Sequence, residues 1–256
     1  MKLLTVIIST LNEGITNTLG AVHIQHPMVQ YLIIHQNNTG FAIPSLLERA
    51  DITIITTQSV GLSKSRNIGL QYCQTAYALI ADDDLIYVEG GFDLILQHLN
   101  RTGADLLTFK IKTSPNEPEY KFYASHEMSL QDPGIHYISS VEICAHIPTL
   151  KEHNITFDER FGLGTTLKKG EEEILIDDCL KSGLKCIFIP AYIVRHPFES
   201  SGKSIPSRWA ISFFEGAFNE RLKRFRILER NMFKNFSNFR YKFVEYLGMF
   251  YIRFFS

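Results

Sequence analysis

Short apolar runs alternate with a helical pattern in the first third of the chain. The runs span residues 4–9, 30–35, 52–55 and 77–81, and polar residues follow each of them. Between the third and fourth runs, residues 63–72 have the spacing of an amphipathic helix. Strand-length apolar runs that alternate with helices predict an α/β fold with a mostly parallel sheet. Because open α/β sheets bind ligands at the carboxyl ends of their strands, we expect a crevice along that edge.

The second half of the chain is less regular. Further strands are predicted at residues 105–111, 138–147 and 185–189, and Pro190 is expected to end the last of them. A helical pattern spans residues 170–183, after a glycine-rich stretch that we expect to be flexible. A chain of 256 residues, 45% of them hydrophobic, can fill one good core and carry an appendage.

The cysteines and the hydropathy of the chain indicate the cellular compartment of the protein. The four cysteines are scattered without a metal-binding spacing, so we expect reduced thiols in the core. The chain has no signal-peptide pattern and no apolar run of about 18 residues that would span a bilayer. These features predict a cytoplasmic protein.

From Ser207 onwards the sequence predicts a basic, aromatic-rich helical tail. Ten Lys and Arg stand against four Asp and Glu there, a net +6 in a chain of net charge −1. Its apolar positions recur three or four apart among basic ones: Phe213, Phe214, Phe218, Arg221, Leu222, Lys223, Arg224, Phe225, Arg226, Ile227, Leu228 and Arg230. Such a helix either packs on the main domain or lies on anionic lipid with its apolar side down. Residues 246–255 offer a second apolar contact.

Three adjacent carboxylates, Asp82, Asp83 and Asp84, follow the fourth apolar run. Neighbouring carboxylates repel one another, so a fold tolerates them mainly where a cation or hydrogen-bond donors offset the charge. Hard oxygen ligands suit Mg²⁺ or Mn²⁺, and such an ion in turn suits a diphosphate. A plain acidic turn is the alternative interpretation.

Two helix starts and one histidine carry further candidate chemistry. Ser63 is a plausible N-cap beside the cations Lys64 and Arg66, which suits a phosphate or a base but also a surface helix. The cluster Glu171–Glu172–Glu173 favours the positive end of a helix dipole, and a carboxylate there can also serve as general base. His196, just past a strand end, is either structural or a ligand.

Taken in chain order, these segments resemble the motifs of family 2 glycosyltransferases of GT-A fold. The segments are 10–13, 61–67, 82–84, 157–162, 170–172 and 190–196. The resemblance covers about residues 1–200 and implies an inverting transfer of a sugar from a nucleotide diphosphate to a hydroxyl, with Mn²⁺ or Mg²⁺. It also implies a GT-A domain over residues 1–205, with its nucleotide-sugar half at 1–110 and its acceptor half at 111–205. Residues 206–256 would form a helical appendage.

The resemblance also implies roles for individual residues. The nucleotide-sugar pocket would comprise Thr10, Asn12, Glu13, Gln36, Asn37, Ser63, Arg66, Asp82 and Asp83. Asp84 would bind the metal, and His196 would contact the metal or a phosphate. Glu172 would be the base, although Glu171 or Glu173 could take its place. Gln36 stands where an acidic residue is common, which weakens the assignment of uracil.

The function implied is sugar transfer in bacterial surface polysaccharide or capsule synthesis. The donor would be a UDP-sugar and the acceptor a glycan or lipid-linked molecule at the inner membrane face, with no nucleic acid involved. One alternative is a non-catalytic carbohydrate-binding or scaffold subunit of the same fold. A nucleotidylyltransferase is less favoured, because residues 10–13 contain no glycine and no cation to hold a triphosphate. A dinucleotide oxidoreductase is excluded, since no G-x-G-x-x-G opens a helix.

Overall fold

A computed structural model describes residues 2–132, 137–198, 207–223 and 239–254. Its strands are β1 Leu4–Leu11, β2 Val29–Gln36, β3 Ile52–Thr57, β4 Tyr77–Asp82, β5 Ile86–Tyr87, β6 Leu106–Lys112, β7 Met128–Ser129, β8 Ile143–His146 and β9 Cys186–Arg195. Its α-helices are α1 Thr18–Ala21, α2 Leu62–Tyr72, α3 Gly91–Thr102, α4 Ile147–Glu152, α5 Glu171–Lys181, α6 Arg208–Leu222 and α7 Phe239–Phe254. Short 3-10 turns occupy Asn12–Thr16, Ser45–Leu47 and Ser140–Glu142.

The strands form one mixed sheet in the order β3-β2-β1-β4-β8-β6-β9-β5, and β7 also pairs with β9. The long ladders are parallel: β1 with β2 and β4, β2 with β3, and β6 with β9. The antiparallel pairs, β8 with β4 and β6 and the two short strands with β9, are brief. The predicted mostly parallel α/β sheet is therefore confirmed.

Side chains alternate between two apolar layers on the two faces of the sheet. Along β1, Val6 and Ile8 enter one buried cluster and Ile7 enters the other. Helix α2 packs closely on this second face, where a Cβ at Gly69 would lie 2.2 Å from Cγ2 of Ile7. Because both faces are covered, β1 carries apolar residues on both of them, and Val6, Ile7 and Ile8 follow one another directly.

Two predicted strand boundaries are wrong. Pro190 does not end β9, which continues to Arg195. The register with β6 instead shifts, since Thr108 pairs with Phe188 and Lys110 already pairs with Tyr192. This irregularity accommodates a residue that lacks an N–H donor. The strand expected over residues 138–147 is reduced to β8, because a 3-10 turn precedes it.

The two described tail helices lie side by side and run in the same direction. Trp209 contacts Tyr241 near their starts, and Arg253 pairs with Glu220 near their ends. Gly216 allows the close approach, because a Cβ there would lie 1.9 Å from a backbone oxygen of α7. No described helix is long and apolar enough to cross a membrane.

Helix α6 is fastened to the main domain. Arg221 forms ion pairs of 2.7 Å with Asp158 and 2.6 Å with Asp178. The apolar side chains that α6 turns inward include Phe214, Phe218 and Leu222, which pack around Phe161 in a third buried cluster. For α6, the interpretation as a helix packed on the main domain is therefore the right one. The predicted tail positions 224–230 lie outside the described residues.

Candidate active site

A cavity of about 690 Å³ opens at the carboxyl ends of β1 and β4, between the starts of α2 and α5. The predicted site residues on its wall are Thr10, Gln36, Arg66, Asp82, Asp83, Asp84, Glu171, Glu172 and His196. The fold thus brings together segments that are more than 100 residues apart in sequence. The expected crevice at the carboxyl edge of the sheet is present.

Arg66 stands at the centre of the cavity wall, with its side chain only 1% exposed. One terminal nitrogen donates to Asp82 at 3.2 Å and to the hydroxyl of Ser140 at 2.6 Å. The other donates to Glu171 at 3.1 Å and to Glu172 at 3.4 Å. A buried cation among three carboxylates is held by these pairs, since an unpaired buried charge is costly. In this structure Arg66 therefore joins the acidic triplet to the start of α5, and its contact with a donor remains a prediction.

The carboxylates at the start of α5 have perturbed acidities. Burial, with the nearby charge of Glu171, raises the pKa of Glu172 to about 7, while Arg66 acts in the opposite direction. Burial also raises the pKa of Glu171, again against Arg66. Burial and the charge of Glu172 raise the pKa of Glu173 to about 7. A carboxylate that titrates near neutral pH can accept a proton efficiently under those conditions.

The three aspartates at the carboxyl end of β4 point to different partners. Asp82 pairs with Arg66 at 3.2 Å. Asp83 accepts a hydrogen bond of 2.6 Å from the Thr10 hydroxyl. Burial, opposed by that hydrogen bond and reinforced by the two neighbouring aspartates, raises the pKa of Asp83 to about 6. The side chain of Asp84 is 51% exposed and faces His196. Asp82 and Asp83 are thus hydrogen bonded within the protein, whereas the carboxylate of Asp84 is accessible.

Asp84 and His196, the two residues predicted to bind a metal, lie side by side. Nε2 of His196 lies 3.5 Å from Oδ1 of Asp84. Nδ1 of the same ring lies 2.7 Å from the carbonyl oxygen of Pro197 and donates a hydrogen bond to it. In a neutral ring with this tautomer, the lone pair of Nε2 is on the side of Asp84. Among the described residues, no group of three or more His, Cys, Asp and Glu side chains is arranged to hold a metal ion. The two donors fit an ion whose remaining ligands come from phosphate and water.

Four predicted pocket residues do not line the cavity: Asn12, Glu13, Asn37 and Ser63. Asn12 has a positive φ of 49° and supports the loop after β2, because its side chain accepts from the backbone N–H of Asn38 at 2.8 Å. Asn37 closes that loop through two 2.9 Å bonds to the backbone of Phe41. Glu13 is exposed. Their roles toward a nucleotide remain predictions.

Ser63 does not cap α2. The helix begins one residue earlier, at Leu62, with Gly61 as the N-cap residue at φ 120°. The Ser63 hydroxyl instead donates to the backbone oxygen of Phe161 at 2.6 Å. This bond ties α2 to the loop that leads to α5.

The glycine-rich loop over residues 161–170 is tied to the start of α2. The backbone N–H of Leu62 donates to the oxygen of Leu163 at 2.9 Å. Gly164, at φ 88°, lies so close that a Cβ there would be 2.9 Å from Cα of Gly61. Glycine is needed for this approach and for the positive φ. The stretch that we expected to be flexible is thus hydrogen bonded across the cavity mouth.

Several cavity residues carry no motif in the sequence. They are Tyr120, Lys121, Tyr137, Ser140, Lys168, Lys169, Phe214 and Phe218. Lys121 forms a 2.5 Å ion pair with Glu142, which also accepts from Tyr123 at 2.6 Å. For Phe214 and Phe218 the sequence offers one indication of function, the basic and aromatic character of the tail. That character indicates a surface for a partner or a membrane and not the wall of a cavity.

Comparisons with known proteins give a family and a fold. A family model described as "Glycosyl transferase family 2" matches residues 5–164. The structure of S. aureus TarS 1-349 in complex with UDP-GlcNAc is similar, with a TM-score of 0.65 and 16% identity over 86% of this chain. The complex of the same fragment with UDP gives a TM-score of 0.61 and 15% identity over 93% of this chain.

This chain matches only part of each TarS structure. This chain spans 66% of the UDP-GlcNAc complex, 77% of the UDP complex and 40% of the longer TarS structure. No curated protein sequence gave a significant match. The structural likeness supports the GT-A fold, and the family model covers more than half of the 256 residues. The chain therefore belongs to glycosyl transferase family 2.

Proposed function

We propose that this protein is an inverting glycosyltransferase that moves a sugar from a UDP-sugar to a hydroxyl of a glycan or lipid-linked acceptor. One observation carries the proposal: a single cavity contains the Asp82–Asp84 triplet and the carboxylates of α5, joined through Arg66. The triplet suits the donor diphosphate and the α5 carboxylates suit the acceptor. A non-catalytic subunit of the same fold would need neither cluster.

Glu172 is the proposed base. Its carboxylate takes the proton of the acceptor hydroxyl while the hydroxyl oxygen bonds to the anomeric carbon, and the bond from that carbon to the diphosphate breaks. Attack from the side opposite the leaving group inverts the anomeric configuration. A pKa of about 7 lets Glu172 act near neutral pH. Glu171 is 4% exposed and holds Arg66, so we give it a positioning role.

Asp84 and His196 are the proposed metal-binding residues, for Mn²⁺ or Mg²⁺. A divalent cation at this position would stabilise the negative charge that develops on the departing diphosphate. Asp84 is exposed enough to reach such an ion, and its neighbours Asp82 and Asp83 are already hydrogen bonded to Arg66 and Thr10. The carboxylate oxygens of Asp84 suit either metal, whereas the imidazole of His196 is a poorer ligand for Mg²⁺.

The choice of UDP rests on similarity rather than on a uracil contact. Two TarS structures are described as complexes with UDP-GlcNAc and UDP. In this chain Gln36 is buried on the cavity wall and its amide donates to Ser59 at 3.1 Å and to the oxygen of Gly61 at 3.2 Å. Gln36 thereby supports the loop before α2. We propose that the uracil of the donor binds beside this loop.

We further propose that the protein acts in surface polysaccharide or capsule synthesis, on the cytoplasmic face of the membrane. Since α6 packs inward, the support comes from α7. Its exposed apolar side chains recur at helical spacing: Phe243, Tyr246, Leu247, Phe250 and Phe254. An apolar stripe on a tail of net charge +6 suits an anionic lipid surface.

Nucleotide release from a panel of UDP-, GDP- and dTDP-sugars tests the function. We expect UDP release with one or more UDP-sugars in Mn²⁺ or Mg²⁺, and its loss in EDTA. Asp84→Asn should lower the rate by about three orders of magnitude, because it removes a metal ligand. Asp93→Asn, an exposed aspartate on α3, is the matched control and should have no effect. Wild-type activity that persists in EDTA, or full activity of Asp84→Asn, would contradict the metal proposal.

A further inference from the structure

We propose, as an extension of the proposed function, that α6 forms the acceptor wall of the active site. Phe214 and Phe218 would hold a pyranose ring of the acceptor through their aromatic side chains. The tail helix would then be part of the substrate site and not only an appendage. The class of ligand is a glycoside with an intact six-membered sugar ring.

The two rings stand next to the proposed base. Both line the cavity, and their centroids lie 5.2 Å apart in a stacked pair. A Cβ at Gly170 would lie 3.0 Å from the ring of Phe218 and 3.1 Å from that of Phe214. Gly170 is the N-cap residue of α5, and Glu172 follows two positions later. A sugar on these rings would therefore place its hydroxyl groups close to that carboxylate.

The chemistry of this wall suits a sugar ring. Phe214 and Phe218 are both partly exposed, in a cavity whose wall also carries six carboxylates and three lysines. Lys169 lies 4.8 Å above the Phe214 ring, and Glu173 lines the same cavity. A pyranose has an apolar C–H face that packs on aromatic rings and a rim of hydroxyls that need polar partners. The wall offers both.

Helix α6 divides its aromatic side chains between two tasks. Phe213, adjacent in sequence to Phe214, packs on Tyr251 of α7 with centroids 5.6 Å apart and does not line the cavity. Phe214 and Phe218 each form a T-shaped contact with Phe161, with centroids 6.4 and 6.3 Å away. Both rings are only partly buried and line the cavity, so part of each ring stays available to a ligand there.

The position of this wall is fixed before any ligand binds. Arg221, one turn beyond Phe218, bridges Asp158 and Asp178. Ala217, fully buried on the same helix, packs in the apolar cluster beneath the rings. Rings that are held in place lose little entropy on binding, which favours a specific site.

Substitution to leucine tests the rings without emptying the space they fill. Phe218→Leu and Phe214→Leu are compared with Phe213→Leu as the matched control. Acceptors are p-nitrophenyl pyranosides of glucose, galactose, mannose and their N-acetylamino forms. We expect an acceptor KM about tenfold higher in the first two variants, with donor hydrolysis unchanged. Phe213→Leu should keep both parameters, and Phe218→Tyr should restore acceptor KM.

A binding measurement separates this inference from the proposed function. Saturation-transfer NMR with the same pyranosides and UDP requires no turnover. Wild type should show contact through the C–H face of the sugar, and Phe218→Leu should lose it. Failure of every pyranoside to bind wild type, or equal binding by Phe218→Leu, overturns the aromatic wall. The aromatic wall is also overturned if Phe218→Leu loses donor hydrolysis and transfer together and has a lower melting temperature. That result would mean that Phe218 serves only to pack α6 on the protein. Absence of donor hydrolysis in wild type refutes the proposed function instead, whatever the NMR result.

Discussion

Replacing Arg66 with glutamine should move the pH dependence of sugar transfer to higher pH. The guanidinium of Arg66 is buried and lies 3.4 Å from Glu172. Burial and the charge of Glu171 raise the pKa of Glu172, and the Arg66 cation opposes them by stabilising the ionised carboxylate. The balance leaves that pKa at about 7. Removal of the cation therefore raises it further, and more of the base is protonated at neutral pH.

The size of the shift follows from the geometry. Two unit charges about 4 Å apart interact by about 4 kcal/mol at an effective dielectric constant of about 20. Since one pKa unit corresponds to about 1.4 kcal/mol, the upper limit is about three units. Water entering the space of the missing guanidinium reduces this, and we expect a rise of at least about one unit. A one-unit rise lowers the ionised fraction of Glu172 at pH 7 from about one half to about one tenth.

The assay is kcat/KM for transfer measured across the acid limb, from about pH 5 to about pH 9. Arg66→Lys keeps the charge and should shift the limb less than Arg66→Gln. Arg253→Gln, which breaks the more exposed ion pair with Glu220, is the control and should leave the limb in place. Loss of a buried cation costs about 3–5 kcal/mol of stability, so thermal unfolding is recorded for each variant. An unchanged acid limb in folded Arg66→Gln would refute the coupling.

Two further predictions concern the base and the tail. Glu172→Gln should lower kcat about 10²–10⁴-fold while UDP binding persists. The product of the wild-type enzyme should have an inverted anomeric configuration. A larger loss of kcat in Glu173→Gln would move the assignment of the base to Glu173. Leu247→Ser should weaken sedimentation with anionic vesicles at low salt, because an apolar side chain contributes about 1.5–3 kcal/mol when buried. The control is Leu46→Ser, which changes an exposed leucine outside the tail and should leave sedimentation unchanged. Equal binding of the two variants would argue against α7 as the membrane contact.

The fold could be predicted where burial leaves a simple pattern. Strands β1, β2 and β4 are covered on both faces, so each contains consecutive apolar residues instead of a strict alternation of apolar and polar ones. The two-residue strands β5 and β7 are too short to show any period, and they were not predicted. Ser140–Glu142 was assigned to a strand because a three-residue turn beside apolar residues resembles one. Its Ser139–Glu142 capping box was the signal that could have corrected this.

The candidate site could be predicted only as far as its carboxylates. Both acidic clusters follow recognisable element boundaries, and the sheet edge brings them together. The partners of Arg66 could not be read in the same way, because Ser140 lies 74 positions and Glu171 lies 105 positions away in sequence. A buried arginine and an exposed one look identical in a sequence, and only tertiary packing distinguishes them.

The start of α2 connects the acidic triplet to the start of α5. Three residues within its first two turns contact residues 161–172: Leu62 bonds to Leu163, Ser63 to Phe161, and Arg66 to Glu171 and Glu172. Arg66 also pairs with Asp82 of the acidic triplet. A displacement of α2 would therefore change the charge around Glu172 and around the triplet together. Because one cation serves both clusters, the acidity of the proposed base depends on the same residue that pairs with Asp82.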